Sequence, residues 1–192
     1  MRYLLNRVLV FVEYHTVYVS GKVFGISNIV RYLRNPNPLI TIKILRAFGA
    51  KVGDKTTIKR TLLIDNTYED QNSAGDFSYL NIGNNCYIGD CTYFDLSNEV
   101  IIEDNVVISG EVSFITHADC NRSLFLSQKF PRKCEPIIVK NGAWVGFGAK
   151  ILSGVTISSN SVIGANSVLL ESTDEKSVYS GHPAKKIKII DN

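Results

Sequence analysis

The chain carries three histidines, His15, His117 and His182. A histidine titrates near neutral pH, so it is the natural side chain to take a proton from a hydroxyl. Of the three, His117 stands in Phe114-Ile115-Thr116-His117-Ala118-Asp119, where a regular pattern breaks into a loop. A titratable group at such a break sits at the surface, at the mouth of a groove. Two carboxylates are near it in the argument, Asp95 and Asp119. Either could orient the imidazole or contact a bound acceptor, and Asp119 could instead cap the loop turn. Catalytic zinc held by three imidazoles is not expected, because only His117 falls within the regular pattern. The cysteines Cys86, Cys91, Cys120 and Cys134 match no zinc spacing. They are read as reduced thiols, and no nucleophilic role is assigned to them.

The pattern that must position these groups has a period of six. Val139, Val145, Ile151, Ile157, Ile163 and Leu169 follow one another without a slip. Small or β-branched residues fall four positions later, at Ala143, Ala149, Val155, Ser161 and Ser167. The phase recurs upstream in VGDKTT, IGNNCY, IGDCTY, IEDNVV and ISGEVS. It is interrupted at 65–81, near 100 and at 118–138. Six residues match neither a helix nor a flat strand. They fit a short strand followed by a tight corner, and three such units close a triangular coil. Stacked coils pair strand over strand, about 4.8 Å apart. Gly and Asn suit the corners because they tolerate positive φ.

Residues 1–50 lie outside the repeat. Spacing predicts helices over 27–34 and 38–48, with Pro38 in a first turn and Gly49 as a stop. Residues 2–20 fit a helix or a strand pair. The first 60 residues hold eleven Lys/Arg against two Asp/Glu, while the rest is acidic. A basic, aromatic-rich front can cap the open end of a coil stack, and can also meet an anionic membrane face. The short aliphatic run Val8–Val12 is far below the roughly 20 residues of a spanning helix. Together with the absence of a leader pattern in the first residues, this points to a cytoplasmic protein.

The repeat resembles that of the hexapeptide-repeat acyltransferases, over about residues 47–188. The likeness is most specific in AWVGFGAKILSGVTISSNSVIGANSVL and in Gly181-His182-Pro183-Ala184-Lys185. It is to the galactoside, maltose, serine and polysaccharide O-acetyltransferases. The resemblance implies a left-handed parallel β-helix over 51–188, a helical extension over 1–50, and a protruding loop over 118–136. It implies acetyl-CoA as co-substrate, no metal, and His117 as general base acting on a sugar hydroxyl. A backbone N–H in Val145–Phe147 would receive the oxyanion. Trp144, Gly146, Phe147, Gly164 and Ala165 would line the groove for the pantetheine arm. Lys185 and Lys188 would meet the nucleotide phosphates, with Lys186 of less certain direction. Sites would lie between subunits of a homotrimer. Two departures stand out: the upstream Asn that binds the acceptor in some relatives is absent near Gly89 and Asp90, and Phe147 replaces a small residue. An N-acetyltransferase acting on an amino sugar shares this architecture, as does a non-enzymatic assembly module.

Overall fold

The computed structural model describes residues 2–191. Helix α1 (Arg2–Phe24) settles the ambiguous front as one continuous helix. Gly25, at φ 86°, ends its run and starts α2 (Ile26–Tyr32). Helix α3 (Pro38–Ala47) opens with Pro38, and the Asn37 side chain caps it by accepting from Leu39 N at 3.0 Å. Gly21 lets α1 sit tightly on its neighbours: a Cβ there would lie 2.4 Å from the Phe48 ring and 2.6 Å from Ile29. Glu13 faces inward and accepts from Tyr32 Oη (2.8 Å) and Asn37 Nδ2 (2.7 Å), which ties α1 to the α2–α3 turn. Burial, with the acidic neighbour adding to it, pushes the Tyr32 phenol up to about 12.

The rest of the chain is a parallel β-helix of five coils. On the first face, strands Lys51–Val52, Leu80–Ile82, Val100–Ile102, Ile137–Val139 and Thr156–Ile157 stack in that order. On the second, Thr57–Ile58, Tyr87–Ile88, Val107–Ile108, Trp144–Val145 and Val162–Ile163 stack likewise. The third holds Leu62–Asp65, Thr92–Asp95, Ser113–Ile115, Lys150–Leu152 and Val168–Leu169. A terminal hairpin, Ser177–Gly181 with Ala184–Ile189, extends the second face.

Every aliphatic residue of the period-six frame points inward: Val139, Val145, Ile151, Ile157, Ile163 and Leu169 are all at most 1% exposed. Register stacks like on like, as in the third-face column Ile64, Phe94, Phe114, Ile151, Leu169. Asn85, Asn105, Asn160 and Asn166 turn corners at φ between 53° and 59°. The side chains of Asn85 and Asn105 also bond to each other at 2.8 Å. The helices join this stack directly. Leu62 N donates to Leu33 O (2.9 Å) and Phe77 N to Phe48 O (2.8 Å), so the first coil is covered from the front.

Phe94 and Phe114 are fully buried and stack at 5.3 Å between centroids. They hold the coils on either side of Asp95 in register. Phe114→Ala leaves a cavity that a parallel stack cannot collapse around, and is expected to cost about 3–5 kcal/mol in a denaturant titration.

Candidate active site

Asp95 ends the third-face strand of coil two, and His117 follows the strand above it, in coil three. Phe94 pairs with Phe114, so the chain ends beyond them meet. Asp95 is 1% exposed and its carboxylate is saturated with donors. Oδ1 accepts from Asn66 Nδ2 (2.9 Å), Ser97 N (3.1 Å) and Ser97 Oγ (3.0 Å). Oδ2 accepts from Thr116 N (2.9 Å), His117 N (3.0 Å) and His117 Nδ1 (2.7 Å). Burial alone would raise the Asp95 carboxyl, but the bonds from Asn66, His117 and Ser97 outweigh it and hold it below the usual range. An ionised Asp95 can only accept, so Nδ1 carries the proton and Nε2 keeps its lone pair. The imidazole is a quarter exposed, so Nε2 can reach a bound molecule.

A cavity of about 220 Å³ adjoins the ring, lined by Ile115, Ala118, Lys133, Leu152, Ser153 and Leu170 together with His117. The loop that follows is structured. His117–Ala118 pairs antiparallel with Lys133–Cys134, and a short helix, α4 (Leu124–Lys129), starts at Ser123. Arg132 bridges two insertions: it donates to Asp70 (2.7 and 2.8 Å) and to Asp119 (2.5 Å). Asp119 therefore pairs with Arg132, and the imidazole is oriented by Asp95. Atoms of Asp70, His117 and Asp119 lie within 4.8 Å of one another, and the single Arg132 guanidinium pairs with both carboxylates. A larger cavity of about 490 Å³ adjoins the first, between Asp119, Leu126, Lys129, Phe130 and Lys133. Lys133 lines both.

The residues expected to hold the cofactor lie elsewhere. Trp144 is half exposed on the second face, with Nε1 donating to Ser109 Oγ at 3.2 Å. Gly146, Phe147, Gly164 and Ala165 form the corner between the second and third faces. Phe147 is also half exposed, and its ring rests over Gly110. Gly146 N–H is already committed to Ile163 O (2.8 Å), which removes it from the oxyanion candidates. Lys185 and Lys188 sit on the terminal hairpin with no carboxylate partner among the described residues, whereas Lys186 is paired with Asp174 at 2.9 Å. Exposed aromatics, a glycine corner and two uncommitted cations suit a long, anionic thioester. Within one chain this corner and His117 stand at opposite ends of the third face, separated by a strand about 10 Å long.

Sequence reading assigns no positioning role to Asn66, Ser97, Thr116, Asp70 or Arg132. Ser97 had a signal, two residues past Asp95. Thr116 adjoins His117, whereas Asn66 and Asp70 lie in the 65–81 insertion and Arg132 in the 118–138 one, and they converge only when the coils stack.

No family model matches the chain. Over 121 residues it is 34% identical to a provisionally named acetyltransferase of Saccharomyces cerevisiae, covering 58% of this chain and 60% of that protein. The chain thus spans less than two thirds of that relative's length. It is 29% identical over 145 residues to the provisionally named colanic acid biosynthesis acetyltransferase WcaF of Escherichia coli, covering 76% and 72%. Two solved structures share the fold. One is a hexapeptide-repeat acetyltransferase of Vibrio cholerae complexed with acetyl-CoA (TM-score 0.72, 21% identity, 86% and 85% covered). The other is a maltose O-acetyltransferase of Clostridium difficile (TM-score 0.72, 23% identity, 91% and 89% covered). With its period-six coils and its parallel β-helix, the chain shares the fold of these hexapeptide-repeat acetyltransferases and is similar in sequence to acetyltransferases.

Proposed function

We propose that the chain is an acetyl-CoA-dependent O-acetyltransferase that modifies a sugar hydroxyl in surface-polysaccharide synthesis. The observation that carries this reading is the Asp95–His117 pair, a buried ionised carboxylate holding Nδ1–H and leaving Nε2 free. His117 Nε2 takes the proton of the acceptor hydroxyl as its oxygen attacks. Asp95 holds the ring in that tautomer and balances the imidazolium that forms. Acetyl-CoA supplies an acyl group already activated as a thioester, whose C–S bond breaks as the ester forms; CoA leaves as a thiol with the proton from His117, and no side-chain nucleophile is needed. Cys86 agrees with this: it is buried, and burial pushes its thiol up, away from nucleophilic form.

Trp144, Phe147 and the Gly146–Gly164–Ala165 corner would hold the pantetheine arm, and Lys185 and Lys188 the phosphates. Because His117 lies at the far end of the third face from that corner, a complete site needs the corner of a second copy. This supports a homotrimer with left-handed coils and three interfacial sites. The 1–50 segment caps the stack, and the protein acts in the cytoplasm. The cavity beside the ring gives room for the acceptor, and a larger one shares Ala118 and Lys133 with it.

The test is thiol release from acetyl-CoA against a panel of hydroxyl and amino sugars. Acceptor-dependent release with hydroxyl sugars is expected. Preference for the amine panel would move the reading to N-acetylation. Failure on every acceptor would sink it.

A further inference from the structure

We propose that the outer face of α1 docks on an anionic lipid bilayer. A surface helix normally has one apolar stripe, turned to the core. Helix α1 has two. Val10, Tyr14, Val17 and Tyr18 pack inward on the core. On the opposite side, Leu5, Val8, Leu9, Val12, Val19 and Val23 are each 52–65% exposed. At helical spacing these six form one continuous line, about 27 Å long. Its chemistry is that of a buried surface, yet none of the described residues covers it. Such a patch marks an interaction site.

Charge selects the occupant. Of the two acidic residues among the first 60, Glu13 is turned inward to Tyr32 and Asn37, and Asp54 pairs with Arg46. Basic residues lie beside the line, at Lys22, and along the groove that α1 forms with α3, at Arg7 and Lys43. Lys22 is exposed beside Val19 and Val23, its ammonium over the Tyr18 and Phe48 rings at 5.5 and 5.2 Å. A groove of about 330 Å³ between α1 and α3 combines exposed Phe11 and Leu39 with Arg7 and Lys43. A second copy meeting the same face about a two-fold axis would set these cations against one another. Acyl chains beneath a layer of phosphates match both the apolar line and the cations beside and below it. No helix among the described residues is long and apolar enough to cross a membrane, so α1 lies in the interface plane.

The docking is independent of the acetyl-transfer reading. It is tested on the full chain by flotation with vesicles of phosphatidylcholine alone, or mixed with phosphatidylglycerol, at low and high salt. The protein should float with the anionic vesicles, less so at high salt, and stay behind with the neutral ones. Leu9→Glu/Val12→Glu/Val19→Glu should lower the bound fraction at least about tenfold, with the light-scattering mass and thermal melt unchanged. Lys22→Glu/Lys43→Glu should do the same by charge alone, and reads the proposal if the triple variant does not fold. Absence of flotation, or undiminished flotation of folded variants, would overturn the proposal. So would a changed mass in the triple variant, which would assign the face to a contact between copies.

Discussion

His117→Ala should lower kcat for acetyl transfer by about 10²–10⁴-fold while leaving KM for acetyl-CoA nearly unchanged. The imidazole is the titratable group at the site with an exposed nitrogen whose lone pair is kept available. Its partner, Asp95, is too buried to reach an acceptor. Removing the ring deletes the base but none of the Trp144–Gly146–Phe147 corner that would hold acetyl-CoA. The fold should survive, because the coils are held by Phe114 and its column rather than by a partly exposed ring. Steady-state thiol release measures both constants. A variant retaining more than about a tenth of wild-type kcat would show that His117 is not the base.

Asp95→Asn separates positioning from proton transfer. The amide matches the carboxylate in shape but not in polarity. One of its atoms becomes an N–H₂ facing groups that now donate: Asn66, Ser97, Thr116 N and His117 N. The ring also loses the acceptor that fixes Nδ1–H, so the other tautomer becomes favourable and Nε2 is no longer a base. We expect kcat to fall by about 10²–10⁴-fold. A stability loss of roughly 3 kcal/mol should accompany it, from buried donors left unpaired. A purely structural role would give the second effect without the first at temperatures where the variant is folded.

The pH dependence gives an independent check. Asp95 is held below the ordinary carboxylate range in the folded protein, so folding favours its ionised form. Its contribution is therefore complete above the unfolded value of about 3.9 and is lost as pH falls through the lower folded value. The stability gap between wild type and Asp95→Asn should be constant near neutrality and narrow only in acid, below about pH 4. Chemical denaturation across that range reads it directly. A gap already closing near neutral pH would mean that Asp95 is not ionised in the fold, and that the assigned tautomer is wrong.

The coils were legible because a β-helix is nearly one-dimensional. Each aliphatic residue contacts its counterparts one coil up and one coil down, so inward residues recur at a constant interval. Val139 through Leu169 show this without a slip, and all of them are buried. The helices of the front were legible where caps mark them, at Asn37-Pro38 and Gly49. Helix α1 was not, because apolar and aromatic residues surround it on both sides and blur the helical period. That same doubling is what leaves its outer face without cover.

The site divides along the same line. Sequence alone determined that one histidine, His117, stands where a coil gives way to a loop, and that Asp95 and Asp119 were the carboxylates to weigh. It could not choose between them. Asp119 is two residues from His117 and Asp95 is twenty-two, yet it is Asp95 that reaches the ring. Coil stacking decides this: one full turn plus an insertion brings position 95 under position 117, and Phe94 on Phe114 holds it there. The nearer carboxylate is drawn off by Arg132, which also takes Asp70 from a different insertion. Local spacing carries the repeat because its contacts are periodic. The dyad joins the strand ends of two coils and the Arg132 bridge joins two insertions, and only the tertiary structure brings those side chains together.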